Sequence, residues 1–223
     1  MTTPNSGGNN AEHAAPSKLA NRLEISISFA LVLFAVAFNL YFLYPEVAGG
    51  ILDQNDMVLH LVLTDAAVEA LTQGQDLTDP WESTMGMGFP LLHYYQHFPH
   101  IAVALVHVLT LEVFPLVDML HWTTYFLLSL FPLSIYWSLR RFGFDRISSA
   151  MGGLVSLLLS TNGLLGFSYF SYVFVGWGLY AQLWGMVFLP PAIAVGYQVM
   201  REGRCYFWST LLLAATLMSH LLY

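Results

Sequence analysis

The run Leu23–Tyr44, LEISISFALVLFAVAFNLYFLY, decides the fold class. It holds one charged residue, Glu24, and it is as long as the roughly 20 apolar residues that a membrane-spanning helix needs. Lys18 and Arg22 precede it and Pro45 follows it. It is too long for a signal-peptide core and lacks a small-residue cleavage site, so it reads as a retained helix. The residues before it, 1–20, are small and polar and read as a disordered tail.

Further apolar runs follow at Phe98–Val117, Leu120–Leu139, Ile147–Phe167, Trp177–Met200 and Tyr206–Tyr223. Together they predict an all-α, polytopic transmembrane helix bundle of about five to six spans over residues 21–223. The first of these runs carries His107 and Glu112, which weakens it as a span. Pro190-Pro191 removes two backbone donors and predicts a kink in the fifth span. The last run ends without a polar cap, and a C-terminal truncation is expected there. Gly152-Gly153 predicts close helix packing. Tyr169, Tyr172, Trp177, Tyr180 and Trp184 read as an aromatic belt.

The composition agrees. Of the residues, 57% are hydrophobic and 9% charged, against about 25% charged in an average soluble domain. A basic nucleic-acid face is absent, so the expected partner is the bilayer, with no nucleic acid. The expected location is the plasma membrane, as a multi-pass protein. The one cysteine, Cys205, allows no disulfide within the chain.

Charge is unevenly placed. From Glu46 to His100 there are eight acids and no Lys or Arg, within a net charge of -7. By the positive-inside rule Lys18 and Arg22 are cytoplasmic and a large loop, 45–97, is external. Strict alternation of spans then puts Arg140, Arg141, Arg146, Arg201 and Arg204 outside. Either Phe98–Val117 re-enters or lies flat, or those cations snorkel at helix ends.

Within the loop, Met57, Leu61, Ala67 or Val68, and Leu71 recur at helical spacing and predict an amphipathic helix over 51–72 lying along the membrane surface. Asp53 suits its N-cap, Asp56 its first turn, and Asp56 and His60 share a face. A carboxylate there can serve as a general base or hold a metal. Beyond it, glycines and prolines make 74–100 loop-like. Trp81, Tyr94 and Tyr95 offer faces that stack on sugars or anchor at an interface. His93, His97 and His100 fall at i, i+4, i+7, but Pro99 opposes one regular helix through all three, and no metal site is assigned. There is no P-loop, G-x-S-x-G or H-E-x-x-H motif.

The succession Asp56-x3-His60, Gly74, Pro80-Trp81, Gly88-Phe89-Pro90, Tyr94-Tyr95 after an apolar helix resembles the first external loop of GT-C class membrane glycosyltransferases. The resemblance covers roughly Leu23–Met200. It extends to bacterial multi-pass proteins named as 6-pyruvoyl-tetrahydropterin synthase-related, a label that carries no mechanism here. It implies transfer of a sugar from a polyprenyl-phosphate donor to an acceptor at the external face. Asp56 is then the base or metal ligand, with Asp53 and His60 beside it, and a divalent cation is a possible cofactor. Trp81, His93, Tyr94 and Tyr95 are the implied substrate contacts. The chain departs from the pattern in two ways: its acids are spaced Asp-x2-Asp, and the loop has no cation to meet a phosphate. The competing expectations are a transporter or flippase using Pro190-Pro191, Asn162, His107 and Glu112, and a non-catalytic scaffold.

Overall fold

A computed structural model describes residues 18–48, 56–83, 86–158 and 180–220. Three of its helices are long and apolar enough to cross a membrane. The first is α1 (Lys18–Phe42), extended by a short turn, α2 (Pro45–Ala48). The others are α5 (Leu116–Phe142) and α7 (Tyr180–Glu202). Large apolar side chains point outward from them: Phe29 is 68% exposed and Phe34 58%. Water would penalise such a surface and lipid does not. Helix α1 begins at Lys18, inside the stretch expected as tail; residues 1–17 lie outside the described residues.

Of the two expectations for Phe98–Val117, a span or a segment that re-enters or lies flat, the short helix favours the second. Helix α4 (Phe98–Leu109) has 12 residues and is only about 18 Å long, against about 30 Å of hydrocarbon. It starts on Phe98 and has Pro99 in its first turn, where the missing N–H costs nothing. It ends where Leu111 and Glu112 take left-handed backbone angles, φ 55° and 59°, and the Glu112 N–H donates back to the His107 carbonyl at 3.0 Å. The chain thus turns back after a helix shorter than a span needs. Helix α6 (Arg146–Val155) is also short; residues 159–167 of its expected span, with Asn162, and the belt residues Tyr169, Tyr172 and Trp177 after it lie outside the described residues. Helix α8 (Tyr206–Ser219) has 14 residues.

The helices pack as neighbours with defined directions. Helix α1 runs antiparallel to α5: Asn39 bonds the Leu128 carbonyl, and Tyr125 Oη donates to the Leu40 carbonyl at 2.7 Å. Helix α6 lies parallel to α1, with Arg146 against Asn21 and Glu24 at its start. Helix α7 is parallel to α5, since Ser134 meets Val187 and Arg141 meets Gln198. Helix α8 folds back along α7 after the turn at Gly203 and Cys205.

These directions have a consequence for charge. All seven Lys and Arg residues sit at one end: Lys18 and Arg22 at the start of α1, Arg140 and Arg141 at the end of α5, Arg146 opening α6, and Arg201 and Arg204 where α7 turns into α8. The acidic loop emerges at the other end, beside the start of α5 and α7. With α4 too short to span, the helix directions put all seven cations at one end and not at two.

The carbonyl that Pro191 frees is bonded from a neighbouring helix. Helix α7 runs unbroken through Pro190 and Pro191. Pro191 leaves the Val187 carbonyl without its i+4 donor, and Ser134 Oγ of α5 donates to that carbonyl at 2.7 Å. Gly152 and Gly153 bring α6 onto α5 as expected: a Cβ on Gly153 would meet the Pro132 carbonyl at 3.0 Å.

Candidate functional site

The described residues between α2 and α4, 56–83 and 86–97, are folded. Helix α3 (Asp56–Gln73) lies against α4, with Met57, His60, Leu63, Thr64, Ala67 and Ala70 buried. The expected apolar stripe packs inward, with His60 and Thr64 added to its core. Met57 and Ala67 are on it, but Leu61, Val68 and Leu71 are only partly buried and His60 takes a core position. Small side chains at Ala66, Ala67 and Ala70 let α4 approach. Asp65 and Glu69 stay on the exposed side.

His60 is fully buried and so is His100 of α4. His60 Nδ1 lies 3.0 Å from His100 Nε2, with the rings stacked at 5.2 Å. The tautomers follow from the partners. The Gln96 carbonyl, 3.0 Å from His100 Nδ1, can only accept, so His100 Nδ1 carries the proton and donates. His100 Nε2 is then the acceptor and His60 Nδ1–H the donor. Burial, then the neighbouring His60, push the His100 imidazole down to about 3, which keeps it neutral. Tyr95 and Tyr180 close the pair edge-on and obliquely, with centroids 5.8 and 5.3 Å from His60. Tyr180, expected in an aromatic belt between two spans, is buried and faces the histidine pair.

Outside this buried pair lies an exposed layer. After α3, Asp76 accepts from the Thr78 N–H and Thr78 Oγ1 at 2.8 Å each, and these bonds hold its carboxyl below the usual range. Two short strands follow, β1 (Trp81–Glu82) and β2 (Phe89–Pro90), paired antiparallel with Trp81 opposite Pro90. The all-α expectation contained no such ribbon. Gly88, at φ 98°, lets the Trp81 indole lie on its backbone, where a Cβ would sit 2.3 Å from the ring. Trp81 remains 61% exposed and Tyr94 71%. Tyr94 stacks with Phe89 at 5.4 Å and meets His93 edge-on at 4.8 Å. His93 Nδ1 is 3.5 Å from the Asp79 carboxylate.

The expected site residues therefore divide. Trp81, His93 and Tyr94 share the exposed layer, while Tyr95 turns inward to His60 and His100. The histidines His93, His97 and His100 do not face one point: His93 pairs with Asp79, His97 precedes α4, and His100 is inside. Asp56 opens α3 one turn before His60; its side chain, and Asp53 altogether, lie outside the described residues. Among the described residues no group of three or more His, Cys, Asp or Glu converges to hold a metal.

Two pairings had no sequence signal. Asp79 was not singled out as the partner of His93. Glu46 of α2 and His121 of α5 form a buried pair, His121 Nδ1 donating to Glu46 Oε1 at 3.0 Å across 75 positions of chain. Of the groups named for transport, Glu112 is exposed at the end of α4. Comparison with protein-family models, with curated proteins and with solved structures gave no match.

Proposed function

We propose that this chain is a membrane-embedded glycosyltransferase module of the GT-C kind, taking a sugar from a polyprenyl-phosphate donor at the external face of the plasma membrane. The observation that carries this reading is the folded loop. It sets exposed aromatic faces, Trp81 and the Phe89–Tyr94 stack, at the bundle end opposite all seven cations. The positive-inside rule assigns the cationic end to the cytoplasm and the loop to the exterior. Exposed aromatic rings suit the apolar faces of sugars.

Asp56 is the base in this reading. As the acceptor oxygen bonds to the anomeric carbon, its proton passes to the carboxylate, and the bond from that carbon to the polyprenyl phosphate breaks. His60 and His100, both buried, fix the packing of α3 on α4. Trp81 and Tyr94 orient the sugar.

The test is transfer of labelled hexose from a panel of polyprenyl-phosphate hexoses by the full chain in liposomes. Loss of a positioned base predicts that Asp56→Asn falls at least about 100-fold in kcat. Trp81→Ala is expected to raise KM more than it lowers kcat. Full activity in Asp56→Asn removes Asp56 from the role, and no transfer from any donor removes the reading.

The buried Glu46–His121 pair favours a second reading, an ion-coupled transporter or flippase of a lipid-linked substrate, because ionisable pairs inside membranes mark ion paths. Gradient-driven flux without sugar transfer, lost in Glu46→Gln, would select it.

A further inference from the structure

At the cationic end, far from the loop, a cavity of about 530 Å³ opens between α5, α7 and α8. That is within the range of ligand pockets, about 300–1,000 Å³. Its walls are apolar, with Pro191 on α7 and Leu212 on α8 at the deep end. Trp137 and Trp208 flank it, and Arg141 and Gln198 stand at the polar end. From Gln198 to Pro191 the slot follows α7 for roughly 10 Å toward the middle of the bundle.

Arg141 is held in place there. Its guanidinium carbon is 4.7 Å from the centre of the Trp137 ring, and its Nη1 donates to Gln198 Oε1 at 3.5 Å. Among the described residues no carboxylate is within ion-pairing distance of it: Arg146 meets Glu24 and Arg204 meets Glu202, while Arg141 meets an amide and an indole face. A fixed guanidinium fork with open donors matches a phosphate. An apolar slot leading away from it, toward the hydrocarbon, matches an acyl chain.

We propose that this slot binds one anionic glycerophospholipid, its headgroup phosphate on Arg141 and an acyl chain between Pro191 and Leu212. Any lipid tail fills an apolar groove, so the claim is one of selectivity: the cation makes the site prefer a net-negative headgroup. Charge complementarity carries the choice of occupant, since every Lys and Arg of the chain lies at this end. The site is independent of the glycosyl-transfer reading.

The experiment is native mass spectrometry of the full chain released from micelles containing equal dioleoyl-phosphatidylglycerol and dioleoyl-phosphatidylcholine. One basic residue near an anionic surface predicts retention of phosphatidylglycerol by about fivefold over phosphatidylcholine. Arg141→Gln is expected to bring that ratio near one, and Arg141→Lys to keep part of it. Leu212→Trp, which fills the slot and leaves the cation, is expected to lower occupancy by both lipids. Circular dichroism of each variant establishes that it is folded. Equal retention of the two lipids by the wild type overturns the proposal. So does an unchanged preference in folded Arg141→Gln, or a lipid-free dimer in which a second copy covers the slot.

Discussion

Asn39 of α1 donates its side-chain amide to the Leu128 carbonyl of α5 at 3.1 Å, and that carbonyl is the one Pro132 leaves without a helical donor. Asn39 is fully buried. Ser134 and Val187 repeat the relationship at Pro191. In both places a polar side chain on a neighbouring helix answers a proline four residues downstream of the bonded carbonyl. Helix breakers become helix-to-helix ties, as a membrane interior requires when no water is at hand.

Asn39→Ala therefore leaves the Leu128 carbonyl bare. Bonds of this kind between membrane helices are worth ~0.6 kcal/mol on average and ~1.7 at most. The expected loss in a denaturant titration of the micelle-bound protein lies in that range. In a Pro132→Ala background the helix supplies its own donor, and the same substitution should cost close to nothing. Equal losses in the two backgrounds would show that Asn39 acts without reference to the proline.

Gly152 and Gly153 should differ when each becomes alanine. A Cβ on Gly152 meets the tip of the Leu139 side chain, 2.2 Å from Cδ1, which can rotate away. A Cβ on Gly153 meets the Pro132 carbonyl oxygen at 3.0 Å, and the backbone of α5 cannot step aside so cheaply. Overpacking costs about 1–3 kcal/mol; Gly153→Ala is expected within that range and Gly152→Ala below it. The reverse order of melting temperatures would contradict this packing of α6 on α5.

His100 makes stability depend on pH. Its folded-state value is pushed down to about 3, against 6.5 for a free imidazole. Between those values the unfolded chain binds the proton and the folded chain does not, so stability is full above 6.5 and falls as pH drops. The slope is at most about 1.4 kcal/mol per pH unit. Thermal unfolding between pH 6.5 and 5, above most carboxylate titrations, should show it in the wild type and lose most of it in His100→Gln. Parallel slopes would remove His100 as the cause.

Length and apolarity made α1, α5 and α7 legible in the sequence. They left α4 between two expectations, a weakened span or a segment that re-enters: His107 and Glu112 point to the second, but neither glycine nor proline marks the two left-handed positions, Leu111 and Glu112, where the helix ends. The buried side of α3 was ambiguous for a different reason. Leu61, Val68 and Leu71 are as apolar as the residues that won, and the choice fell to the alanines that fit against α4. Local pattern placed Trp81, His93 and Tyr94 in one loop, but their sharing a face depends on the strand pairing and on Gly88. The partners of His60 and Glu46 are set by tertiary folding, 40 and 75 positions away, where no local pattern reaches.

Everything proposed for the loop requires it to face away from the seven cations, across the membrane. The chain carries a natural reporter, Cys205, partly exposed at the turn between α7 and α8 on the cationic end. Gln75, exposed just after α3, takes the second reporter as Gln75→Cys in a Cys205→Ser background. Labelling by a membrane-impermeant maleimide in intact cells should spare Cys205 until the membrane is opened, and should modify the Gln75→Cys variant at once. Labelling of both positions from the same side would contradict the account.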